Sequence, residues 1–203
     1  VIVSISSISA GETISIGTSA TVTITDDEAA PSISLAGSAS TIAENSGSSI
    51  TLTATSSIIS SQNVVVSLAA TGTSTSGTDY GAISSITIPA GSTTATATFT
   101  PTDDSIYEGS ETAIFDISSL SGGSATENGT QQVSLTITDN ETAPTVTLTT
   151  SASSIAENSG SAVTLTATLS GTTTEIVTVS ISTSGTGTEG TDYATISDIT
   201  ISA

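Results

Sequence analysis

The sequence has no lysine, arginine, histidine, cysteine, methionine or tryptophan among its 203 residues. It therefore cannot form an imidazole or lysine general base, a thiolate nucleophile, a Schiff base or a zinc site with nitrogen or sulfur ligands. It also cannot form a disulfide or a lysine–asparagine isopeptide crosslink. The 19 acidic residues give a net charge of −19. Because no cation offsets this charge, nucleic acids and anionic lipids are poor partners.

Long hydrophobic runs are also missing. No apolar stretch approaches the ~20 residues of a membrane-spanning helix, so we expect no membrane insertion. No charged segment precedes an apolar run at the start, so we expect no signal peptide in this stretch. Both ends of the sequence fall within strand-like runs, residues 1–5 and 199–203. We therefore expect an excerpt of a longer chain.

An internal repeat dominates what the sequence does contain. The segment IAENSGS at residues 42–48 returns at 155–161, and GTDY at 77–80 returns at 190–193, both at an offset of 113 residues. A period this long is typical of tandem domains with separate cores and too long for a solenoid. We predict the tail of one repeat at residues 1–30, a complete repeat at 31–143 and the first part of a third at 144–203. The boundaries are placed near Pro31 and Pro144, whose rings stiffen short linkers.

Alternating apolar residues predict seven short strands in the complete repeat. The first is split between residues 32–35 and 38–42. The inward positions of the remaining six are Ile50, Leu52 and Ala54; Val64, Val66 and Leu68; Ile86 and Ile88; Ala95, Ala97 and Phe99; Ala113, Phe115 and Ile117; and Val133, Leu135 and Ile137. The pair Asn128-Gly129 favours a type I′ turn before the last strand. The prediction is an all-β fold of tandem seven-stranded immunoglobulin-like β-sandwiches.

The acidic residues concentrate in a few connections between these strands. Since alternate connections of a sandwich emerge at the same end, the loops after strands one, three and five should meet the segment that leaves strand seven. Eight carboxylates would then converge at one pole of the repeat, which we call the acidic pole. They belong to Glu44, Asp79, Asp103, Asp104, Glu108, Glu111, Asp139 and Glu141.

A bound cation would relieve the repulsion among these carboxylates. An all-oxygen ligand set with many carboxylates favours Ca²⁺ over Zn²⁺ or copper, and over Mg²⁺, which prefers fewer carboxylates. We therefore predict Ca²⁺ as the cofactor, with room for more than one ion. The alternative is that these residues are merely solvated loop acids.

The motifs at residues 44–47 (ENSG), 77–80 (GTDY), 103–111 (DDSIYEGSE) and 136–141 (TITDNE) resemble, in this order, the Calx-beta domain family. The resemblance implies a seven-stranded sandwich that holds Ca²⁺ at its distal loops. It implies the eight carboxylates above as ligands, together with the Ile106 backbone carbonyl and with Asn140 at the same pole. In the adjoining repeats it implies Asp26, Asp27, Glu28, Glu157 and Asp192. Ser105 and Asn140 stand where an Asp is usual in the family, which leaves the number of ions open.

Other interpretations have weaker support. Thr-x-Thr runs at residues 51–55 and 94–98 could present hydroxyl ladders to ice or a glycan, although an ordinary solvated strand face explains them as well. Asn128 and Asn140 begin N-glycosylation patterns, but Asn128 is better explained as a turn residue and Asn140 as part of the acidic pole. Paired carboxylates could hydrolyse glycosides, yet no aromatic subsite accompanies them, so we expect no enzyme.

The sequence therefore predicts a non-catalytic, Ca²⁺-stiffened repeat module of a long prokaryotic surface protein, such as an adhesin stalk or a filament. The expected partners are neighbouring repeats and further copies of the chain in a fibre. The expected location is extracellular, where millimolar Ca²⁺ keeps even weak sites filled. The alternative is a module that binds a glycan or ice through a Thr-rich face or an open Ca²⁺ site.

Overall fold

The computed structural model describes residues 2–3, 17, 19–23, 25 and 27–203. Backbone contacts divide the chain into two compact units, Val1–Ala30 and Pro31–Ala203. In the first unit, β1 (Ile2–Val3) and β2 (Ala20–Thr21) form an antiparallel pair. The predicted division into three repeats stays a prediction.

The second unit is built from strands and two short 3₁₀ turns, at Glu44–Ser46 and Glu157–Ser159. Its strands are β3 (Ser32–Gly37), β4 (Thr41–Ala43), β5 (Ile50–Ser56), β6 (Val64–Gly72), β7 (Ser85–Ile88), β8 (Thr94–Phe99), β9 (Glu111–Ser121), β10 (Thr126–Glu127), β11 (Gln132–Thr138), β12 (Val146–Thr150), β13 (Leu165–Leu169), β14 (Val177–Val179) and β15 (Ile199–Ile201). In the part of the chain that the structure describes, no helix is long and apolar enough to cross a membrane.

Strands β3 to β11 form two sheets, with the orders β10-β3-β5-β8 and β4-β11-β9-β6-β7. The predicted all-β sandwich is thus confirmed. The split first strand has a structural reason, because β3 joins one sheet and β4 crosses to the other. The parallel strand β10, which pairs with β3, was not predicted, since two residues are too few to show alternation.

The predicted type I′ turn at Asn128-Gly129 is wrong. That turn needs a positive φ at both residues, and only Gly129 has one, at +70°. Side-chain hydrogen bonds hold the loop in another shape. The Gln131 N–H donates to the Glu127 carboxylate at 2.5 Å, and the Gln131 side-chain amide donates to the Asn128 carbonyl at 2.5 Å.

The core lies between the two sheets. Most of the predicted inward residues are almost wholly buried, whereas Ala95, Ala97 and Ile117 are partly buried and pack against the core. Three aromatic rings, from Tyr80, Phe99 and Phe115, sit at its centre with centroids 5.0–5.9 Å apart. Tyr80 is 2% exposed and directly follows Asp79, so core packing fixes the position of an acidic residue at the rim.

Residues 144–203 reproduce the first half of the complete repeat. The β12–β13 pairing Val146↔Leu169 matches Ile33↔Ser56 of β3–β5 at the 113-residue offset. The β14–β15 pairing Val177↔Ile201 matches Val64↔Ile88 of β6–β7 in the same way. The internal repeat in the sequence is therefore also a repeat of strand register.

Candidate metal centre

The first group of carboxylates in the acidic pole consists of Glu44, Asp139 and Glu141, and each offers an oxygen within 4.8 Å of the others. Strand pairing positions them. β4 runs parallel to β11 with Ala43 opposite Thr138, so the next residues, Glu44 and Asp139, leave the sheet side by side. Glu44 begins a 3₁₀ turn that Gly47 ends with a left-handed φ of +61°, and its side chain is only 9% exposed.

The second group consists of Asp79, Glu108 and Glu111, whose oxygens also lie within 4.8 Å of one another. Glu111 is the first residue of β9 and pairs with Ile137. Asp79 is held at both ends of its turn. Its carboxylate accepts the Thr75 N–H at 2.5 Å, and its carbonyl accepts the Thr102 N–H at 2.8 Å.

Asp139 connects the two groups through the backbone. One of its carboxylate oxygens accepts the N–H groups of Glu108 and Gly109, at 2.8 and 2.6 Å, and the other accepts the N–H of Glu141 at 2.7 Å. Partial burial alone would raise the pKa of Asp139, but these three hydrogen bonds outweigh it and lower the pKa below its usual value. Asp139 therefore stays ionised and orients the loop that carries Glu108.

The neighbouring carboxyls behave in the opposite way. Burial is the main cause that raises the pKa of Glu44 to about 8, with the hydrogen bond and the charge of Glu141 adding to it. Burial, then the hydrogen bond and the charge of Asp79, raise the pKa of Glu111 to about 7. Burial and the charges of Asp79 and Asp104 raise the pKa of Glu108. Without a cation, Glu44, Glu108 and Glu111 therefore keep their protons to a higher pH than ordinary glutamates do.

Two buried oxygens of the first group test whether a metal ion fits. Glu44 Oε1 and Glu141 Oε2 have no hydrogen-bond partner among the described residues. When both groups are ionised, each oxygen is a buried acceptor without a donor, which is costly. Either a proton shared between Glu44 and Glu141 or a cation would satisfy them. The donors are all oxygens, mostly carboxylates, which are the ligands Ca²⁺ prefers, so the residues fit this ion.

The remaining predicted ligands of the complete repeat lie outside these two groups. Asp103 and Asp104 are exposed. Asp104 orders its loop, because its carboxylate accepts the Ile106 N–H at 2.7 Å. Ile106 itself is half-buried. Asn140 is exposed and donates its amide to the Glu141 carboxylate at 2.8 Å, which places it beside the first group.

The predicted ligands of the adjoining repeats are less complete. Glu157 and Asp192, the equivalents of Glu44 and Asp79, are exposed. Asp27 and Glu28 are exposed residues of the first unit. Asp26 lies outside the described residues. Six of the predicted ligands, all in the complete repeat, therefore make up the two carboxylate groups.

A contact with the next repeat was not anticipated from the sequence. Tyr107 forms an isolated parallel bridge with Thr173, and its N–H donates to the Thr172 carbonyl at 3.1 Å. The Thr172 hydroxyl donates to the Ser105 carbonyl at 3.2 Å. The acidic loop at residues 103–108 therefore touches the connection between β13 and β14. Threonines are too common in this chain for the pair to have given any signal.

The backbone of Gly109 holds a carboxylate of the acidic pole in place. Its φ of +73° is unfavourable for a residue with a Cβ, and its N–H contacts Asp139. We expect Gly109→Ala to cost about 1 kcal/mol of stability and to weaken Ca²⁺ binding, measured by calorimetric titration. Gly91→Ala is the control, because Gly91 has a similar φ of +78° away from the acids. Equal loss of Ca²⁺ affinity in both variants would contradict the role assigned to Gly109.

The chain is thus a β-sandwich repeat that carries two groups of three carboxylates at one pole. Comparison with known families then gives the particular family. The Calx-beta domain model matches residues 26–141 and 139–200. The chain belongs to the Calx-beta domain family, a family of Ca²⁺-binding β-sandwich modules.

Solved structures similar to this chain include three from Calx proteins. The structure of CBD12 from CALX1.2 is 20% identical with a TM-score of 0.45, and the match covers 53% of this chain and 44% of that one. The apo-form Calx CBD1 domain is 20% identical with a TM-score of 0.42, covering 53% and 97%. The calcium-binding domain CBD12 of CALX1.1 is 22% identical with a TM-score of 0.42, covering 49% and 41%. No curated protein matches the chain.

Proposed function

We propose that this chain is a non-catalytic structural segment of a long prokaryotic surface protein, in which Ca²⁺ at the acidic pole stiffens the junction between successive repeats. The observation that carries this proposal is the contact between the acidic loop and the next repeat, through Tyr107, Thr172 and Thr173. A cation held by that loop would act directly on the junction.

The physical argument follows from where the ligands lie in the chain. Asp139 and Glu141 stand on the linker that leads to Pro144, whereas Glu108 stands on the loop that touches Thr172 and Thr173. An ion held by Glu44, Asp139 and Glu141 would fix the linker, and one held by Asp79, Glu108 and Glu111 would fix the loop. Without cations, like charges push these segments apart. Occupied sites should therefore narrow the range of angles between the repeats.

The distance between two spin labels tests whether Ca²⁺ stiffens the junction between the repeats. Because the chain has no cysteine, T96C and T166C place two spin labels on exposed strand positions in successive repeats. We expect the distance distribution from pulsed electron resonance to be narrow with Ca²⁺ and broader after the metal is removed. The control carries Asp139→Asn and Glu141→Gln and should stay broad with Ca²⁺ present. Equal widths in all four samples would refute the proposal.

The composition supports the extracellular location in this proposal. Weak carboxylate sites stay filled in the millimolar Ca²⁺ outside cells. The absence of Lys and Arg also leaves trypsin-like proteases no cleavage site. The net charge of −19 favours solubility and keeps separate chains apart. In this proposal the partners are the neighbouring repeats and other copies in a fibre.

One observation favours a second candidate, a module that binds ice or a glycan through a threonine face. Three Thr–Thr pairs align across β5 and β8: Thr51↔Thr98, Thr53↔Thr96 and Thr55↔Thr94. Their spacing, roughly 4.8 Å between strands and 6.8 Å along them, makes a regular array of hydroxyl and methyl groups. An ice-recrystallisation assay on the chain and on Thr96→Lys separates the two functions, since a stalk segment would be inactive in both forms.

A further inference from the structure

The four-stranded sheet of the complete repeat, β10-β3-β5-β8, has two edges that differ in how their backbone groups are satisfied. At one edge β10 pairs with β3, and beyond β10 the Gln131 side chain accepts the Leu35 N–H at 3.2 Å. This edge is therefore covered. β8 forms the other edge, and among the described residues no strand pairs with the outer side of residues 94–98.

The register of β5 and β8 shows which backbone groups of β8 face away from the sheet. The Ser56 N–H donates to the Thr93 carbonyl at 2.7 Å, so these two residues form a hydrogen-bonded pair. Hydrogen-bonded and non-bonded pairs alternate along an antiparallel ladder. The odd-numbered residues of β8 therefore direct their N–H and C=O groups to β5, and the even-numbered residues direct theirs outward. The outward residues are Thr94, Thr96 and Thr98, and all three are exposed.

The chain already pairs with this edge a few residues further along. The Gly81 N–H donates to the Thr100 carbonyl at 3.4 Å, and the Thr102 N–H donates to the Asp79 carbonyl at 2.8 Å. Both threonines continue the even-numbered, outward-facing series of β8. The segment that carries Asp79 and Gly81 runs antiparallel to them. The outer side of this strand therefore accepts an antiparallel partner, and residues 94–98 are the part left uncovered.

The features that normally keep an open edge from pairing with another chain are absent from β8. Charged residues, prolines and bulges prevent such pairing, and β8, with the sequence TATATF and an unbroken register with β5, has none of them. No acidic residue lies between Asp79 and Asp103, although the whole chain carries a charge of −19. Two copies of the chain repel each other through their net charge, but at this edge they meet without opposing carboxylates.

We propose that β8 of one copy pairs antiparallel with β8 of a second copy, so that two complete repeats share one continuous sheet. The strand is self-complementary in the register that places Thr96 opposite Thr96 and Thr94 opposite Thr98. Each outward threonine then exchanges both of its backbone hydrogen bonds with the other copy. The contact is isologous, so a chain with one complete repeat closes as a dimer. The pairing names the surface by which copies join side by side, and its use in a fibre rests on the proposed function.

Sedimentation velocity on the full 203-residue chain, with Ca²⁺ and physiological salt, tests the pairing. We expect a monomer–dimer equilibrium. Thr96→Lys sets like charges directly opposite each other and should lower the association constant at least tenfold. Thr55→Lys is the matched control, because it puts the same charge on an interior strand whose backbone is paired on both sides. An equal loss in both variants would place the contact on the threonine face and overturn the proposal, as would a chain that stays monomeric at high micromolar concentration.

Amide hydrogen exchange, followed by nuclear magnetic resonance at low and high protein concentration, locates the contact. The N–H groups of Thr96 and Thr98 should exchange more slowly as the chain dimerises, whereas those of Ala95 and Ala97, already bonded to β5, should be protected at both concentrations. Thr96→Pro removes an outward N–H that an edge strand can lose without unfolding, and should abolish the dimer. Dimerisation that leaves exchange at Thr96 and Thr98 unchanged would overturn the proposal. The spin-label test of stiffening reads distances within one chain below the dimerising concentration, so either result can fail without the other.

Discussion

Adding Ca²⁺ to the metal-free chain is expected to raise the melting temperature of the complete repeat substantially. An ion that binds only the folded state stabilises it by about 2.7 kcal/mol at 100 times its dissociation constant. For a domain of this size that corresponds to a shift on the order of 10 °C. The physical source is neutralisation of buried, mutually repelling carboxylates. Burial and this repulsion are the causes that raise the pKa values of Glu44, Glu108 and Glu111.

Circular dichroism melts with saturating Ca²⁺ and with chelator give the result directly. Glu44→Gln should remove much of the shift, because Glu44 is buried beside Asp139 and Glu141. The matched control is Glu157→Gln, which changes the same position of the next repeat, where the side chain is exposed. Magnesium at the same concentration should have a smaller effect, since it dehydrates reluctantly. If the two melting temperatures of the unmodified chain coincide, the pole does not hold Ca²⁺.

The sequence was sufficient to predict the fold because the strands alternate so regularly. A period of two residues identified the inward positions, and Val64, Leu135 and Phe115 are indeed buried. Elements set by tertiary contacts could not be predicted this way. The two-residue β10 exists only because β3 lies beside it, and the loop at Asn128 depends on hydrogen bonds from Gln131.

The same distinction applies to the acidic pole. The sandwich rule for alternate connections predicted that the four acidic segments meet at one end. It could not predict that the carboxylates separate into two groups, because this depends on the parallel pairing of Ala43 with Thr138 and on the hydrogen bonds that Asp139 accepts. Nor could it show that Asp103 and Asp104 are exposed while Glu44 is buried. Side-chain direction in loops follows from such contacts and has no period in the sequence.

The stability of the metal-free chain is expected to fall as the pH rises from about 4.5 to about 8. In the unfolded chain Glu44 and Glu111 release their protons near pH 4.5, but in the folded repeat burial holds their pKa values at about 8 and about 7. Between these values the folded state binds more protons, so each step up in pH favours unfolding. The stabilisation is therefore complete below pH 4.5 and lost above pH 8. Asp139, with its lowered pKa, acts in the opposite direction only at lower pH.

Ca²⁺ should reverse this dependence, because the ion competes with protons for the same oxygens and binds best when they are ionised. The measurement is a series of thermal melts at pH 5, 6, 7 and 8, with and without Ca²⁺. The protein is stripped on a chelating resin, because soluble chelators lose affinity at low pH. Glu44→Gln should flatten the metal-free curve and raise its melting temperature at pH 8, whereas Glu157→Gln should follow the unmodified chain. A metal-free chain that gains stability between pH 5 and pH 8 would show that these carboxyls are not held protonated in the fold, and that the pole is open to water without its ion.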